Sequence, residues 1–294
     1  MPGPDPLQDL RRRVADTAFG DVRWVAETGS TNADVLDLAR HGEPEGIVVV
    51  ADHQTAGRGR RGRRWEAPPD ASLMATVLLR PRADVAGLTT MAVAVALAEA
   101  VEAGCGVVAK LKWPNDLVWP GDATASDRKL AGILTEADWP AASHIAGGWS
   151  PPPPGQRAVV AVGFGLNVAW RGRMPPELAD SAVALDELTA PDEPPARADL
   201  LAETLLRLDG HYRSLQRGAG GAGGSDGVDA LMQGWRDRSA TLGRRVRVDL
   251  GAADVVGTAV DVTAEGHLVV QTMEGGRRTL AVGDVVHLRP AAPG

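Results

Sequence analysis

Apolar positions along the chain fall into short runs separated by polar, glycine-rich or proline-rich joints, and the period and length of each run predict its element. Val22–Thr28 reads as a short strand, and Gly46–Asp52 and Leu73–Leu79 have the length and Val/Leu content of buried strands. Val107–Trp113, Lys129–Ala137 and Val159–Val168 follow the same pattern. Pro6–Asp16 predicts a short helix, and Asn32–Arg40 a second, with Ser30 or Thr31 as its cap. Thr89–Ala103 is alanine-rich and helical, ended by Gly104. Ala198–Leu215 and Val228–Arg238 predict two more helices. Strands alternating with few helices predict an α+β fold, a mixed central sheet with flanking helices. After Leu242 the pattern changes to short strands (RRVRVDL, VVGTAVDV, HLVVQT, RRTLAV, VVHLR), with turns at Glu265-Gly266 and Glu274-Gly275-Gly276. That spacing predicts a small SH3-like β-barrel, so the expected division is residues 1–240 and 241–294. Residues 118–128 and Gly147–Arg157 read as loops, and Gly218–Gly227 as a flexible linker.

Composition narrows the function classes. The 294 residues are 44% hydrophobic and 23% charged, the balance of a soluble globular protein. One cysteine, Cys105, excludes a disulfide framework and Cys-rich metal sites. The six histidines are scattered without metal-ligand spacing. A net charge of −7 argues against a dedicated nucleic-acid binder. The start, MPGPDPLQDLRRR, lacks the apolar run of a signal peptide. The apolar stretch 91–100 is too short to span a bilayer and is broken by Glu99. A cytoplasmic location with no membrane partner is the expectation. Among 31 basic residues only three are lysine, at 110, 112 and 129.

Five segments carry candidate chemistry. Gly57–Trp65 (GRGRRGRRW) puts five arginines and three glycines after a buried strand. Glycines let backbone N–H groups converge on an anion, arginines add bidentate donors, and Trp65 suits a flat base. The same loop also reads as a solvated basic loop or a nucleic-acid contact. Lys112–Leu117 (KWPNDL) places Asn115 and Asp116 at a strand end, where ligand contacts and Asx-type turns both occur. Lys129–Glu136 (KLAGILTE) keeps a lysine in a chain that otherwise uses arginine, which suggests a task a planar fork cannot perform. Gly163–Val168 (GFGLNV) sets glycines and Asn167 in an apolar strand, which also reads as a bulged strand with a hydrogen-bonded asparagine. Glu27–Asn32 (ETGSTN) and Gln54 supply neutral donors and acceptors suited to a polar ring such as a ureido group.

Taken together and in this order, ETGSTN, DHQTAGRGRRGRRW, KWPNDL, KLAGILTE and GFGLNV resemble the biotin protein ligase family. The resemblance covers residues 27–168, with the small β domain matching the family's C-terminal domain. It implies a catalytic domain related to class II aminoacyl-tRNA synthetases. It also implies ATP, Mg²⁺ and biotin, and a biotin carboxyl carrier domain as acceptor. By resemblance, Arg60, Lys129 and Asp116 are catalytic, with Asp116 also the candidate Mg²⁺ ligand. Ser30, Thr31, Asn32, Gln54, Gly57, Arg58, Lys129, Gly132, Ile133 and Gly165 would bind biotin. Arg58, Arg60, Arg63, Trp65, Asn115 and Asn167 would bind the adenylate. About twenty-six residues precede the first motif, too few for the winged helix of bacterial relatives, so no repressor function is expected. Phe164 is bulkier than the residue expected there. Three other readings remain: a lipoate or octanoyl ligase, a nucleic-acid-binding protein, and a biotin sensor without turnover.

Overall fold

A computed structural model describes residues 5–121, 125–138, 144–145, 148–149, 155–189, 195–217, 226–251 and 253–288. Seven strands form the main sheet: β1 (Val22–Thr28), β2 (Val48–Gln54), β3 (Ser72–Leu79), β4 (Lys110–Lys112), β5 (Asp116–Trp119), β6 (Arg128–Asp138) and β9 (Val159–Asn167). Their order is β1-β2-β3-β9-β6-β5-β4. Only the β1–β2 pair of this sheet is parallel, so the sheet is mixed as expected. Two-residue strands β7 (His144–Ile145) and β8 (Gly148–Trp149) form a separate ladder. The rest of the expected loop 147–157 lies partly outside the described residues, as do most of the linker 218–227 and part of 118–128.

The two faces of the sheet are covered unequally. On one face pack α3 (Thr89–Cys105), α5 (Arg197–Arg217) and α6 (Asp226–Asp237), burying Leu73, Ala75, Val77, Ile133, Phe164 and Leu166 in the main core. This face is largely apolar, with Thr135 hydrogen-bonded to Thr90 of α3 and Asp52 paired with Arg197 of α5 as polar exceptions. The other face receives only α2 (Thr31–Arg40), which closes a small core of Val35, Ile47, Val49, Leu78 and Ala161. Beyond the N-terminus of α2 that face is open, and the candidate site lies there. Phe164 pairs with Ala75 and Ile133 and turns its bulk to the α3 side, away from the opening.

Several boundaries differ from the pattern. α3 runs one residue past Gly104, to Cys105, and stops at Gly106, whose φ of 66° makes it the left-handed cap, its N–H donating to Glu102 O. Ser30 occupies the cap position of α2 but makes no side-chain cap hydrogen bond, and it lines the candidate site. The helical run 83–105 is long and apolar enough to cross a bilayer by length and hydropathy, more than the stretch 91–100 suggested. Its most apolar window is 78% buried inside the protein, the packing of a core helix. The short helices α1 (Pro6–Val14) and α4 (Leu185–Leu188) complete the α-helices among the described residues.

A second, antiparallel sheet contains β10 (Arg245–Asp249), β11 (Asp254–Val262), β12 (Leu268–Thr272), β13 (Arg277–Leu280) and β14 (Asp284–His287), in the order β13-β12-β11-β10-β14. It matches the expected SH3-like architecture. It is joined tightly to the main sheet. The Trp113 N–H donates to Thr241 Oγ1 (3.1 Å) and the Trp113 indole N–H to Gly266 O (3.0 Å). Asp127 lies 2.7 Å from His287 Nδ1, and Arg244 donates to the same carboxylate at 2.9 Å. His287 Nε2 is 3.2 Å from Thr241 Oγ1. A buried Asp–His–Thr chain thus ends on the backbone that leads into Asn115 and Asp116.

Candidate functional site

The floor of the open face is made by missing side chains. Antiparallel pairing sets Gly132 of β6 opposite Gly165 of β9, and Leu134 opposite Gly163, all on the α2 side. A Cβ at Gly163 would lie 2.0 Å from Asn32 Oδ1, and one at Gly165 would lie 2.5 Å from the Trp65 ring. These glycines let a side chain and an indole ring lie directly on the backbone.

The polar wall comes from the start of α2. Ser30, Thr31 and Asn32 are 6%, 3% and 4% exposed. The Thr31 N–H donates to Gln54 Oε1 at 2.8 Å. The Thr76 hydroxyl lies 2.7 Å from both Thr31 Oγ1 and Asn32 Oδ1. Asn32 Nδ2 donates to Leu134 O (3.2 Å) and to Glu136 Oε2 (2.8 Å). Glu136 also receives Arg58 at 3.1 Å. Thr76, Glu136 and Gly163 therefore belong to the site although the sequence reading gave them no role. Thr76 did leave a signal, a polar residue inside the apolar run Leu73–Leu79.

Lys129 reaches the same face through an irregularity. Leu117 pairs with Ala131, but Val118 pairs with Lys129, so Leu130 is an extra residue in β6. Strict alternation from Gly132 would place Lys129 on the α3 side, and the bulge returns it to the site side. There Lys129 Nζ lies 2.7 Å from Asp116 Oδ1 and 5.5 Å from the centre of the Trp65 ring. Asn167 (2% exposed) holds this segment from below, Nδ2 donating to Lys129 O and Val183 O. It is not among the cavity-lining residues.

The arginine loop is a hairpin over the opening. The Trp65 N–H donates to Gly57 O (3.0 Å), and the Gly59 N–H donates to Arg63 O (2.7 Å). A Cβ at Gly57 would lie 2.5 Å from Trp65 O, so Gly57 forms the neck of the hairpin and does not line the cavity. At the tip Arg61 adopts a left-handed φ of 55°, a conformation that costs a non-glycine residue about 1–2 kcal/mol. Carboxylates of the second sheet hold it. Arg61 donates to Asp249 at 2.8 Å, which raises the guanidinium pKa and lowers that of the carboxyl. Arg63 donates to Asp284 Oδ2 at 3.0 Å. Arg60 donates to Asp284 Oδ1 (3.1 Å), Gly283 O (3.2 Å) and Asn115 Oδ1 (3.2 Å). Burial lowers the Arg60 pKa, against the raising effect of Asp284 and Asp116. Asp249 and Asp284 carried no signal in the sequence.

These parts enclose a cavity of about 140 Å³ lined by Ser30, Thr31, Asn32, Gln54, Arg58, Arg60, Arg63, Trp65, Asn115, Asp116, Lys129, Gly132, Ile133 and Gly165 of the expected set. Two buried polar atoms at the site lack partners among the described residues, Trp65 Nε1 and Asn167 Oδ1. An unpaired buried donor costs about 1–3 kcal/mol, which a ligand acceptor at Trp65 Nε1 recovers, whereas Asn167 Oδ1 lies outside the cavity lining. Asp116 is the one carboxylate lining this cavity, and no group of three metal-ligating side chains exists among the described residues. One carboxylate suffices for Mg²⁺ when phosphate oxygens supply the other ligands, so the residues suit an ion that arrives with a nucleotide.

Comparison with known proteins defines the class first. Residues 25–144 match the biotin/lipoate A/B protein ligase family, and residues 241–288 match the biotin protein ligase C terminal domain. The chain is 37% identical over 284 residues to the biotin–[acetyl-CoA-carboxylase] ligase of Mycobacterium tuberculosis, covering 94% of this chain and 92% of that one. It is 30% identical to the bifunctional ligase/repressor BirA of Bacillus subtilis, covering 84% of this chain and 68% of that one. In fold it is similar to the biotin protein ligase from Aquifex aeolicus solved with biotin and ATP, with a TM-score of 0.69, 24% identity, and coverage of 92% and 100%. The chain belongs to the biotin protein ligase family.

Proposed function

We propose that this chain is an ATP-dependent biotin protein ligase. It activates biotin as biotinyl-AMP and transfers the biotinyl group to a lysine of a biotin carboxyl carrier domain. One observation carries the site assignment. The Lys129–Asp116 pair, the glycine floor and the arginine hairpin, far apart in sequence, line one cavity.

The roles follow from the geometry. The ureido ring needs neutral donors and acceptors, which Ser30, Thr31, Asn32 and Gln54 present at the α2 end. The apolar part of biotin lies along Gly132, Ile133 and Gly165. A biotin carboxylate oxygen attacks the α-phosphorus, the α–β bridging P–O bond breaks, and pyrophosphate leaves. Lys129 offsets the meeting of two anions, and its rotatable ammonium follows the oxygens as the new bond forms. Arg58, Arg60 and Arg63 close over the phosphates, and Trp65 receives the base, while Asn167 supports the Lys129 segment from behind the cavity wall. Asp116 would hold a nucleotide-borne Mg²⁺, which when bound would supply neutralisation of phosphate charge. In the second step the acceptor amine attacks the acyl carbon, and AMP departs with the bonding electrons. Asp116 stands where it can take the amine proton once Lys129 turns to the ligand.

The names of the relatives support a carboxylase as the source of the acceptor. The second sheet and the C-terminal family match support a division near residue 240 between catalytic and C-terminal domains. A cytoplasmic location fits a substrate set of ATP and a carrier protein. The test is biotin-dependent exchange of labelled pyrophosphate into ATP, with lipoate and octanoate as controls. Exchange with biotin alone is expected. Exchange with lipoate instead overturns the substrate, and no exchange with any acid overturns the adenylation reading.

A further inference from the structure

All three lysines of the chain sit on β4 and β6, at one end of the main sheet. The register runs Lys112–Asp116–Gly132–Gly165 across β4, β5, β6 and β9. Directly paired residues of neighbouring antiparallel strands project on the same face. Lys112 therefore stands on the site face, one strand beyond Asp116, and the adjacent row carries Lys110, Val118 and Lys129. Strands are about 4.8 Å apart, so an extended lysine on β4 reaches the rim of the cavity at Asp116.

The other cations around the opening are committed. Arg58 pairs with Glu136, Arg60 and Arg63 with Asp284, Arg61 with Asp249, Arg64 with Glu66 and Lys129 with Asp116. Lys110 donates to Asp237 O at 3.5 Å. Lys112 has no ion-pair or hydrogen-bond partner through its side chain among the described residues, although it is only partly exposed. The strand is also fixed. The Leu111 N–H donates to Arg238 O (2.8 Å), and the Ala240 N–H donates to Leu111 O (2.7 Å). An uncommitted ammonium on a rigid strand is therefore positioned beside the arginines assigned to the phosphates, each of which carries a carboxylate partner of its own.

We propose that Lys112 binds the pyrophosphate leaving group of the adenylation step. The proposal rests on the ligase reading above. As the α–β bridging P–O bond breaks, its electrons pass to the pyrophosphate oxygens, and an ammonium at the rim stabilises that charge as a point charge. Lys129 serves the carboxylate end of the same displacement. Lys112 has no part in the transfer step, because pyrophosphate has left before the acceptor arrives.

The test separates the two half-reactions in the full-length protein. In biotin-dependent pyrophosphate–ATP exchange, K112Q is expected to raise the KM for pyrophosphate about tenfold or more, with the KM for biotin unchanged. Transfer from isolated biotinyl-AMP to a carrier-domain acceptor should stay within about twofold of the unmutated protein. K112R keeps the charge and should restore most of the pyrophosphate affinity, and K110Q should change neither half-reaction. The proposal is overturned by an unchanged KM for pyrophosphate in K112Q. It is also overturned by equal losses in exchange and transfer, or, where K112Q does not fold, by a K112R protein that loses both equally. Absence of biotin-dependent exchange in the unmutated protein overturns the ligase reading itself, and this proposal with it.

Discussion

Gly165 supports the indole of Trp65: the ring lies so close to the strand that a Cβ at this position would stand 2.5 Å from its Cε2 and Cζ2 atoms. The surface assigned to biotin is thus partly occupied by the protein's own tryptophan, and the ring must shift when ligand enters. Gly165→Ala holds the ring off the floor and narrows the same space for biotin. Steady-state exchange assays should show the KM for biotin raised by roughly tenfold to a hundredfold, an effect of about 1.4–2.7 kcal/mol.

Gly163 has a different neighbour. A methyl group there would meet Asn32 Oδ1 at 2.0 Å and displace it from the Thr76 hydroxyl. Gly163→Ala should lower stability by about 2–4 kcal/mol, combining overpacking with a lost buried hydrogen bond. Denaturant unfolding measures this directly. A variant as stable as the unmutated protein would show that Asn32 has room to move.

Lys129 is placed for a task in which shape matters as well as charge. Lys129→Arg should cost activity nearly as much as Lys129→Ala, by about a hundredfold in kcat/KM, since the fork cannot follow the acyl-phosphate oxygens. Full activity in the arginine variant would reduce the role of Lys129 to bulk charge.

Asp284 receives Arg60 and Arg63 and approaches Arg61, tying the arginine hairpin to β14. Asp284→Asn should loosen the hairpin. Limited trypsin cleavage between Arg58 and Arg64 should then be about threefold to tenfold faster without ligand, the scale of ~1 kcal/mol for partly exposed pairs. Biotin plus ATP should restore protection. Equal cleavage rates in both proteins would show that the hairpin is ordered by other means.

Asp127 ties β14 to the main sheet and predicts a pH dependence. Burial pushes its carboxyl pKa up, but hydrogen bonds from His287, the Gly121 N–H and Arg244 outweigh this and hold it well below the ordinary carboxylate range. A depressed pKa stabilises the fold above the unfolded value of about 3.9 and loses that effect as pH falls toward the folded value. Asp127→Asn should therefore lower Tm, with a difference that is full above about pH 5 and narrows below about pH 4. Thermal unfolding across that range checks it, and a gap that persists unchanged to pH 2 contradicts the assignment.

How far the sequence could be read depended on the kind of physics each residue obeys. The strand at Ser72–Leu79 was legible because buried apolar runs have few alternatives. Gly132, Gly163 and Gly165 stood out because glycine inside an apolar strand serves no packing purpose, and here they open the floor. The side of the sheet that Lys129 occupies was not legible, since a bulge at Leu130 alters the alternation and nothing local marks it. Ser30 and Thr31 looked like caps because their types favour that position, yet Ser30 takes it without a side-chain cap bond, and the Thr31 side chain is held by Gln54 and Thr76. Asp284 was invisible for a simpler reason: its partner Arg60 lies 224 residues earlier, and a carboxylate at the start of a short strand announces nothing.

The attachment of the hairpin to β14 has a genetic consequence. The codons that build and brace this one site extend from that for Ser30 to that for His287. A frameshift just ahead of the codon for Asp284 would leave every residue of the glycine floor and the α2 wall intact. It would nonetheless remove the carboxylate that anchors three arginines and the imidazole that braces the Trp113 turn. Late truncating alleles of this gene should therefore behave as lesions of nucleotide handling, with biotin recognition comparatively spared, and not as the loss of a dispensable tail.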